Sequence, residues 1–130
     1  MPMTQDEVFN KVKEVLVAAL AVDDEEVKPE ARLSEDLGAE SIDYLDITFQ
    51  LEKTFGISID KDELFPQKIF QDEELVRNGV VTEKGLRFLE EKLPFADLAG
   101  FKKDPRVTRV PDLFTVGLLV NYVKMKLASS

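Results

Sequence analysis

Apolar residues recur at helical spacing in three well-separated stretches of the chain, and each stretch carries its own start and stop signals. In the first, Val8, Val12, Val15, Leu16, Ala19 and Leu20 share a face, with Lys13 and Glu14 among the polar positions between them. Thr4 and Glu7 ahead of it have the spacing of a capping box, in which each side chain satisfies a free backbone amide near the other. This predicts a helix over about Asp6–Ala21. The four acids Asp23 to Glu26 are read as the solvated loop that stops it, because no glycine turn or ligand spacing follows to suggest a cation loop. From Val27 to Gly38 runs a long connection with Pro29 near its start, and Val27, Ala31, Leu33 and Leu37 are its apolar anchor points. The second helix is predicted from about Ser41 to Thr54. Ile42, Leu45 and Phe49 fall on one side, Leu51 and Phe55 widen the apolar stripe, and Gly56 supplies a left-handed cap. Ile57 and Ile59, alternating with Ser58 and Asp60, form a short extended exit. Asp60 to Leu64 suits the opening of a further short helix.

The pattern then changes. Asn78-Gly79 between Leu75-Val76 and Val80-Val81 predicts a tight hairpin. Thr82 is placed to cap a short helix ending near Leu93, with Leu86, Leu89 and Leu93 as its face, Gly85 weakening it and Pro94 ending it. Phe95, Leu98 and Phe101 suit one more turn before Lys102-Lys103-Asp104-Pro105, read as exposed loop. The third strongly periodic stretch starts after Pro111. Thr115 is its expected cap, and Val116, Leu119, Val120, Val123 and Leu127 form its buried stripe, with Lys124 and Lys126 suiting the negative end of its dipole.

Charge sharpens this division. Residues 1–60 hold 15 acids and 5 bases, a net of −10, whereas residues 61–112 hold 11 acids and 10 bases, a net of −1, and four of the six prolines. Residues from about 65 to 111 therefore read as an insertion within one domain spanning 1–130. About 50 residues with few core positions are marginal alone. The whole chain carries −9, which argues against nucleic acid as a partner and favours basic docking surfaces. With no Cys and no His there is no disulfide, zinc–thiolate site, cysteine nucleophile or Ser-His-Asp triad, so neither a catalytic residue nor a metal site is expected. The polar, acidic N-terminus is unlike a secretory signal, and the longest apolar run, Val15 to Val22, is far shorter than the roughly 20 residues of a membrane span. The expectation is a cytoplasmic, monomeric protein.

Candidate chemistry concentrates at Ser41. Serine is a common helix N-cap, and that alone would explain it. The start of a helix also offers free amides and positive dipole charge, which suit a phosphate as well as they suit a serine oxygen. Gly38 permits close approach, and Glu35, Asp36, Glu40, Asp43 and Asp46 surround the position with acids suited to a basic partner.

The stretch Leu33-Ser34-Glu35-Asp36-Leu37-Gly38-Ala39-Glu40-Ser41-Ile42-Asp43 resembles the 4′-phosphopantetheine attachment motif of acyl carrier proteins, D-L-G-x-D-S-L-D. Leu45, Leu51, Glu52, Phe55 and Gly56 to Ile59 continue the likeness. Thr115-Val116 with Val120, Tyr122 and Val123 is similar to the family's final helix. The resemblance covers about residues 4–64 and 112–127, with the insertion in the place of a short third helix. It implies an all-α fold, an acyl-carrier-protein-like four-helix bundle with an additional, mostly helical insertion. It also implies that a phosphopantetheinyl transferase attaches 4′-phosphopantetheine from coenzyme A to Ser41. The arm would then carry acyl chains as thioesters to acyl-transferring and chain-elongating enzymes of a fatty-acid, specialised-lipid or polyketide pathway. Glu40, Asp43, Asp46 and Glu52 match positions through which the family docks partners. Two departures stand out. Glu40 replaces the usual Asp, and Lys53 and Thr54 stand where further acids are common, so the docking surface is altered. Leu86, Leu89, Leu93, Phe95, Leu98 and Phe101 would either lengthen the cavity for a long or unusual acyl chain, or pack a structural appendage or form a partner-binding surface. The competing class is a helical adaptor that is never modified. A hydrolase using Ser41 lacks a base to activate it.

Overall fold

The computed structural model describes residues 4–59, 64, 69, 71–94, 96 and 98–129, and for Ser41 and Ser129 the backbone alone. Helix α1 spans Gln5–Leu20 and is capped as its sequence predicts: the Thr4 hydroxyl accepts the Glu7 N–H at 3.2 Å, and the Glu7 carboxylate accepts the Thr4 N–H at 3.4 Å. Val8, Val12, Val15 and Leu16 are its buried face. The helix ends before the acids are reached. Ala21 takes a left-handed φ of 55° and donates its N–H to the Val17 carbonyl at 3.0 Å. Asp24–Glu26 then form an exposed 3-10 turn rather than open loop.

Helix α2 covers Ser41–Phe55, and Gly56 closes it at φ 66°, its N–H on the Glu52 carbonyl. The last helix of the chain covers Val116–Ser129, and Thr115 caps it by accepting the Leu118 N–H at 3.1 Å. Its next free amides are satisfied by the long connection: Val116 donates to Ala31 at 3.0 Å and Gly117 to Pro29 at 2.8 Å, while Leu33 donates to Phe114 at 2.9 Å. A helix end needs such acceptors or donors from elsewhere, so the connection is held as backbone structure and not only by its apolar points. Val27, Ala31, Leu33 and Leu37 are nonetheless all buried, as their spacing predicts.

Between α2 and the last helix, β1 (Val76–Arg77) pairs antiparallel with β2 (Val80–Val81). Asn78 and Gly79 turn at φ 54° and 76°, the left-handed pair that a two-residue hairpin requires. The outer edge of β2 is covered too, because Val81 donates to the Pro105 carbonyl and Val107 to that of Gly79. Helix α3 (Glu83–Lys92) follows, capped by Thr82, whose hydroxyl accepts the Gly85 N–H at 3.1 Å and donates to the Glu74 carbonyl at 2.7 Å. A short α4 (Ala99–Lys103) takes in Lys102 and Lys103, which the sequence pattern assigns to an exposed loop; the Lys102 amide reaches the Leu98 carbonyl at 2.9 Å and continues the coil. A 3-10 segment, Val107–Leu113, leads into the final helix, now α5. The expectations for Asp60 to Glu63 and for Phe95 lie outside the described residues.

The fold is a helical bundle with extra helices. Helix α1 is the common neighbour on which α2 and α5 both pack, and Lys124 near the end of α5 donates to Gln5 at the start of α1 at 3.3 Å. Leu16, Ile47, Leu51, Leu119 and Tyr122 are wholly inaccessible. The insertion supplies more core than its composition suggests: Leu75, Val81, Leu89, Leu93, Leu98, Phe101 and Val110 are buried and belong to the same hydrophobic cluster as the bundle.

Candidate functional site

The approach to Ser41 is a turn tied by its own backbone. Asp36 and Leu37 donate to the Arg32 carbonyl at 3.0 and 3.1 Å, Gly38 to that of Ser34 at 3.1 Å, and Ala39 to that of Leu33 at 2.8 Å. Gly38 redirects the chain at φ 74°, a conformation that costs a residue with a side chain roughly 1–2 kcal/mol. Leu33, Leu37 and Ala39 face inward, which leaves Gly38 and Glu40 exposed beside the serine.

Arg32 holds this turn, a role its sequence position gives no sign of. The Asp36 carboxylate accepts both the Arg32 backbone N–H at 2.8 Å and its Nε at 3.1 Å, and the guanidinium also lies 2.8 Å from Glu35 and 3.8 Å from Asp112. The side-chain hydrogen bond from Arg32, aided by the backbone one, holds Asp36 below the ordinary carboxylate range. Because the folded value lies below the unfolded one, the stabilisation is complete above about pH 4 and is lost as pH falls through the folded value. Protection of the Leu37 and Gly38 amides, taken relative to their intrinsic exchange rates, is therefore expected to fall on acidification below about pH 4. Asp36→Asn should remove that dependence, and an unchanged acid response in the variant would assign it to another group.

The capping expectation for Ser41 needs correction. Glu40 is the N-cap, with extended backbone at φ −109° and ψ 172°, and Ser41 is the first helical residue. The cause is Asp43, whose carboxylate folds back to accept the Glu40 N–H at 2.8 Å, half of a capping box set one residue earlier. Ser41 thus stands just inside the positive end of the α2 dipole, where a phosphate is favoured.

A second correction concerns the apolar stripe of α2, which is two separate faces and not one widened stripe. Ile42, Leu45 and Phe49 are 72%, 65% and 57% exposed, whereas Ile47 and Leu51 are buried and Tyr44 and Phe55 half-buried. At 100° per residue the two sets lie on opposite sides of one helix. Periodicity detects both stripes but does not say which one meets the core. Ile42, Leu45 and Phe49 thus form an exposed apolar strip that begins one residue after Ser41. On this outer side Glu40 and Asp46 are exposed, Asp46 accepting from Gln50 at 3.1 Å, and Asp43 is partly engaged as above. The Glu52 carboxylate, partly exposed, accepts the Ile59 N–H at 3.0 Å and so also secures the exit from α2. Lys53 is exposed, with its ammonium 5.3 Å from the centre of the Phe49 ring. Among the described residues no group of His, Cys, Asp and Glu is arranged to hold a metal ion, and no helix is long and apolar enough to cross a membrane.

The helical bundle thus begins its second helix at Ser41, directly behind an Asp-Leu-Gly turn. The family model described as a phosphopantetheine attachment site matches residues 10–68, a segment that contains this turn and all of α2. An acyl carrier protein of Petrotoga mobilis is 39% identical over 95 residues, covering 73% of this chain and 98% of its own length. Acyl carrier proteins of Thermosynechococcus vestitus and Nitratidesulfovibrio vulgaris are 41% identical over 70 residues and 45% over 64; these matches cover 54% and 49% of this chain, and 86% and 82% of those proteins. The chain belongs to the acyl carrier protein family.

Membership brings a covalently attached 4′-phosphopantetheine, whose thiol supplies thioester chemistry when bound. Beyond its chain neighbours, no atom lies within 4 Å of the place a Cβ on Gly38 would occupy, so the turn is open at that point.

Proposed function

We propose that Ser41 is the attachment residue and that the chain carries acyl groups on the arm for enzymes of a fatty-acid, specialised-lipid or polyketide pathway. The observation that carries this reading is the position of Ser41 as the first residue of α2, at the end of the turn that Arg32, Asp36 and Gly38 shape. Attachment forms a phosphodiester at the serine oxygen and breaks the pyrophosphate bond of coenzyme A. Adenosine 3′,5′-bisphosphate leaves, and the serine proton passes to the transferase. Glu40, Asp43 and Asp46 meet basic groups on partner enzymes, and the exposed Ile42, Leu45 and Phe49 fill an apolar recess between them. Glu52 joins these docking acids, while its carboxylate also accepts the Ile59 N–H. The shared hydrophobic cluster supports a single domain over 1–130 in which the insertion, about 65–111, is an integral part. The protein works as a cytoplasmic monomer.

The test is the intact mass after incubation with coenzyme A and a broad-specificity phosphopantetheinyl transferase. The wild type is expected to gain the mass of one phosphopantetheinyl group and Ser41→Ala none. No gain on the wild type with several transferases would favour an unmodified adaptor, and a gain on Ser41→Ala would move the site elsewhere.

A further inference from the structure

Lys53 breaks the charge pattern of the surface just described. Along the outer face of α2, Ile42, Asp46, Phe49 and Lys53 fall within one narrow stripe, with Leu45 at its margin. Its first half is acidic. In its second half the exposed cation is Lys53, seated over the Phe49 ring and paired with no carboxylate among the described residues. Asp46 and Lys53 are two turns apart, roughly 10 Å along the axis. A partner that covers the apolar strip must therefore meet both signs of charge.

We propose that Lys53 selects partners by disfavouring docking surfaces that are basic along the whole length of α2. The partner it fits presents basic groups toward Glu40 and Asp46, an apolar recess toward Leu45 and Phe49, and an acidic group toward Lys53. Like charges brought together on docking cost affinity and slow encounter, which is how one surface rejects the wrong partner while accepting the right one. The Phe49 ring strengthens the effect by holding the ammonium over the strip. Lys53 also complements the C-terminal dipole of α2, a purely structural role that predicts a different response to substitution.

The inference rests on docking through α2, and its test separates docking from attachment. The probe is a broad-specificity phosphopantetheinyl transferase with a basic docking surface, titrated at low salt with the full chain in a Ser41→Ala background carrying Lys53, Lys53→Gln or Lys53→Glu. Affinity is expected to rise in that order, by about fivefold from Lys to Glu. The gain should vanish near 1 M salt, where the screening length falls to about 3 Å. In the Ser41 background the same substitutions should lower KM for the carrier and leave kcat unchanged. Equal affinities for the three proteins at low salt, or a fall from Lys to Glu as the dipole role alone predicts, would overturn the proposal. Absence of transfer in every Ser41 protein would fall on the attachment reading, because the titration does not depend on it.

Discussion

Replacing Ile47 with alanine is expected to cost about 2–5 kcal/mol of unfolding free energy, whereas Leu45→Ala, two residues earlier, should shift it by less than about 0.5 kcal/mol. The two side chains are similar in size and hydrophobicity and sit in the same helix. What separates them is direction: Ile47 is wholly inaccessible within the bundle core, and Leu45 is 65% exposed. Removing Ile47 loses its transfer free energy and leaves a cavity among close-packed neighbours. Removing Leu45 loses neither, and the gain in helix propensity from alanine offsets much of what remains. Urea midpoints of the two variants decide the matter. A larger loss from Leu45→Ala would mean that α2 is turned by half a rotation and that its outer apolar strip is core.

The second large effect is expected at Gly85. A glycine inside a helix ordinarily costs about 1 kcal/mol relative to alanine, so Gly85→Ala in α3 would be stabilising if the helix stood free. It does not stand free. A Cβ at that position would lie 2.2 Å from the Leu75 carbonyl oxygen and 2.7 Å from Cγ1 of Val81. The Leu75 oxygen is fixed, because it accepts the Thr82 N–H at 2.8 Å and the Thr82 hydroxyl at 3.1 Å, bonds that seat the cap of the same helix. Alanine must displace either the helix or the hairpin, and Gly85→Ala is expected to destabilise the protein by about 1–3 kcal/mol. Amide shifts should concentrate in residues 75–92 and leave α1 and the Ser41 turn unmoved. Stabilisation by the variant would show that α3 does not press against the hairpin.

These two residues also mark the limits of what could be read from the chain. The helices of the bundle were legible because a capping box, a left-handed glycine, a capping threonine and apolar spacing marked them. Thr4, Gly56 and Thr115 all act as their positions suggest. The hairpin was legible for the same local reason, since Asn78-Gly79 fits one turn and few others. The facing of α2 was not. The helix carries two apolar stripes, and only the arrangement of α1 decides which of them is covered. Gly85 read as a weakness because propensity is a property of an isolated helix, while its actual reason is a carbonyl ten residues away in sequence. Arg32 was missed altogether. One basic residue in a loop gives no signal until folding brings Glu35, Asp36 and Asp112 around it. The start of α2 at Ser41 was legible behind the Asp-Leu-Gly turn, although the capping role falls to Glu40 by a single-residue shift that Asp43 determines.

The most direct test of the central claim is the mass of the peptide containing Ser41, taken by fragmentation from the protein purified from its own cells. The expected result is a phosphopantetheinyl group on Ser41, with or without an acyl chain on its thiol. A bare Ser41 peptide throughout the population, or the group located on another residue, would contradict it.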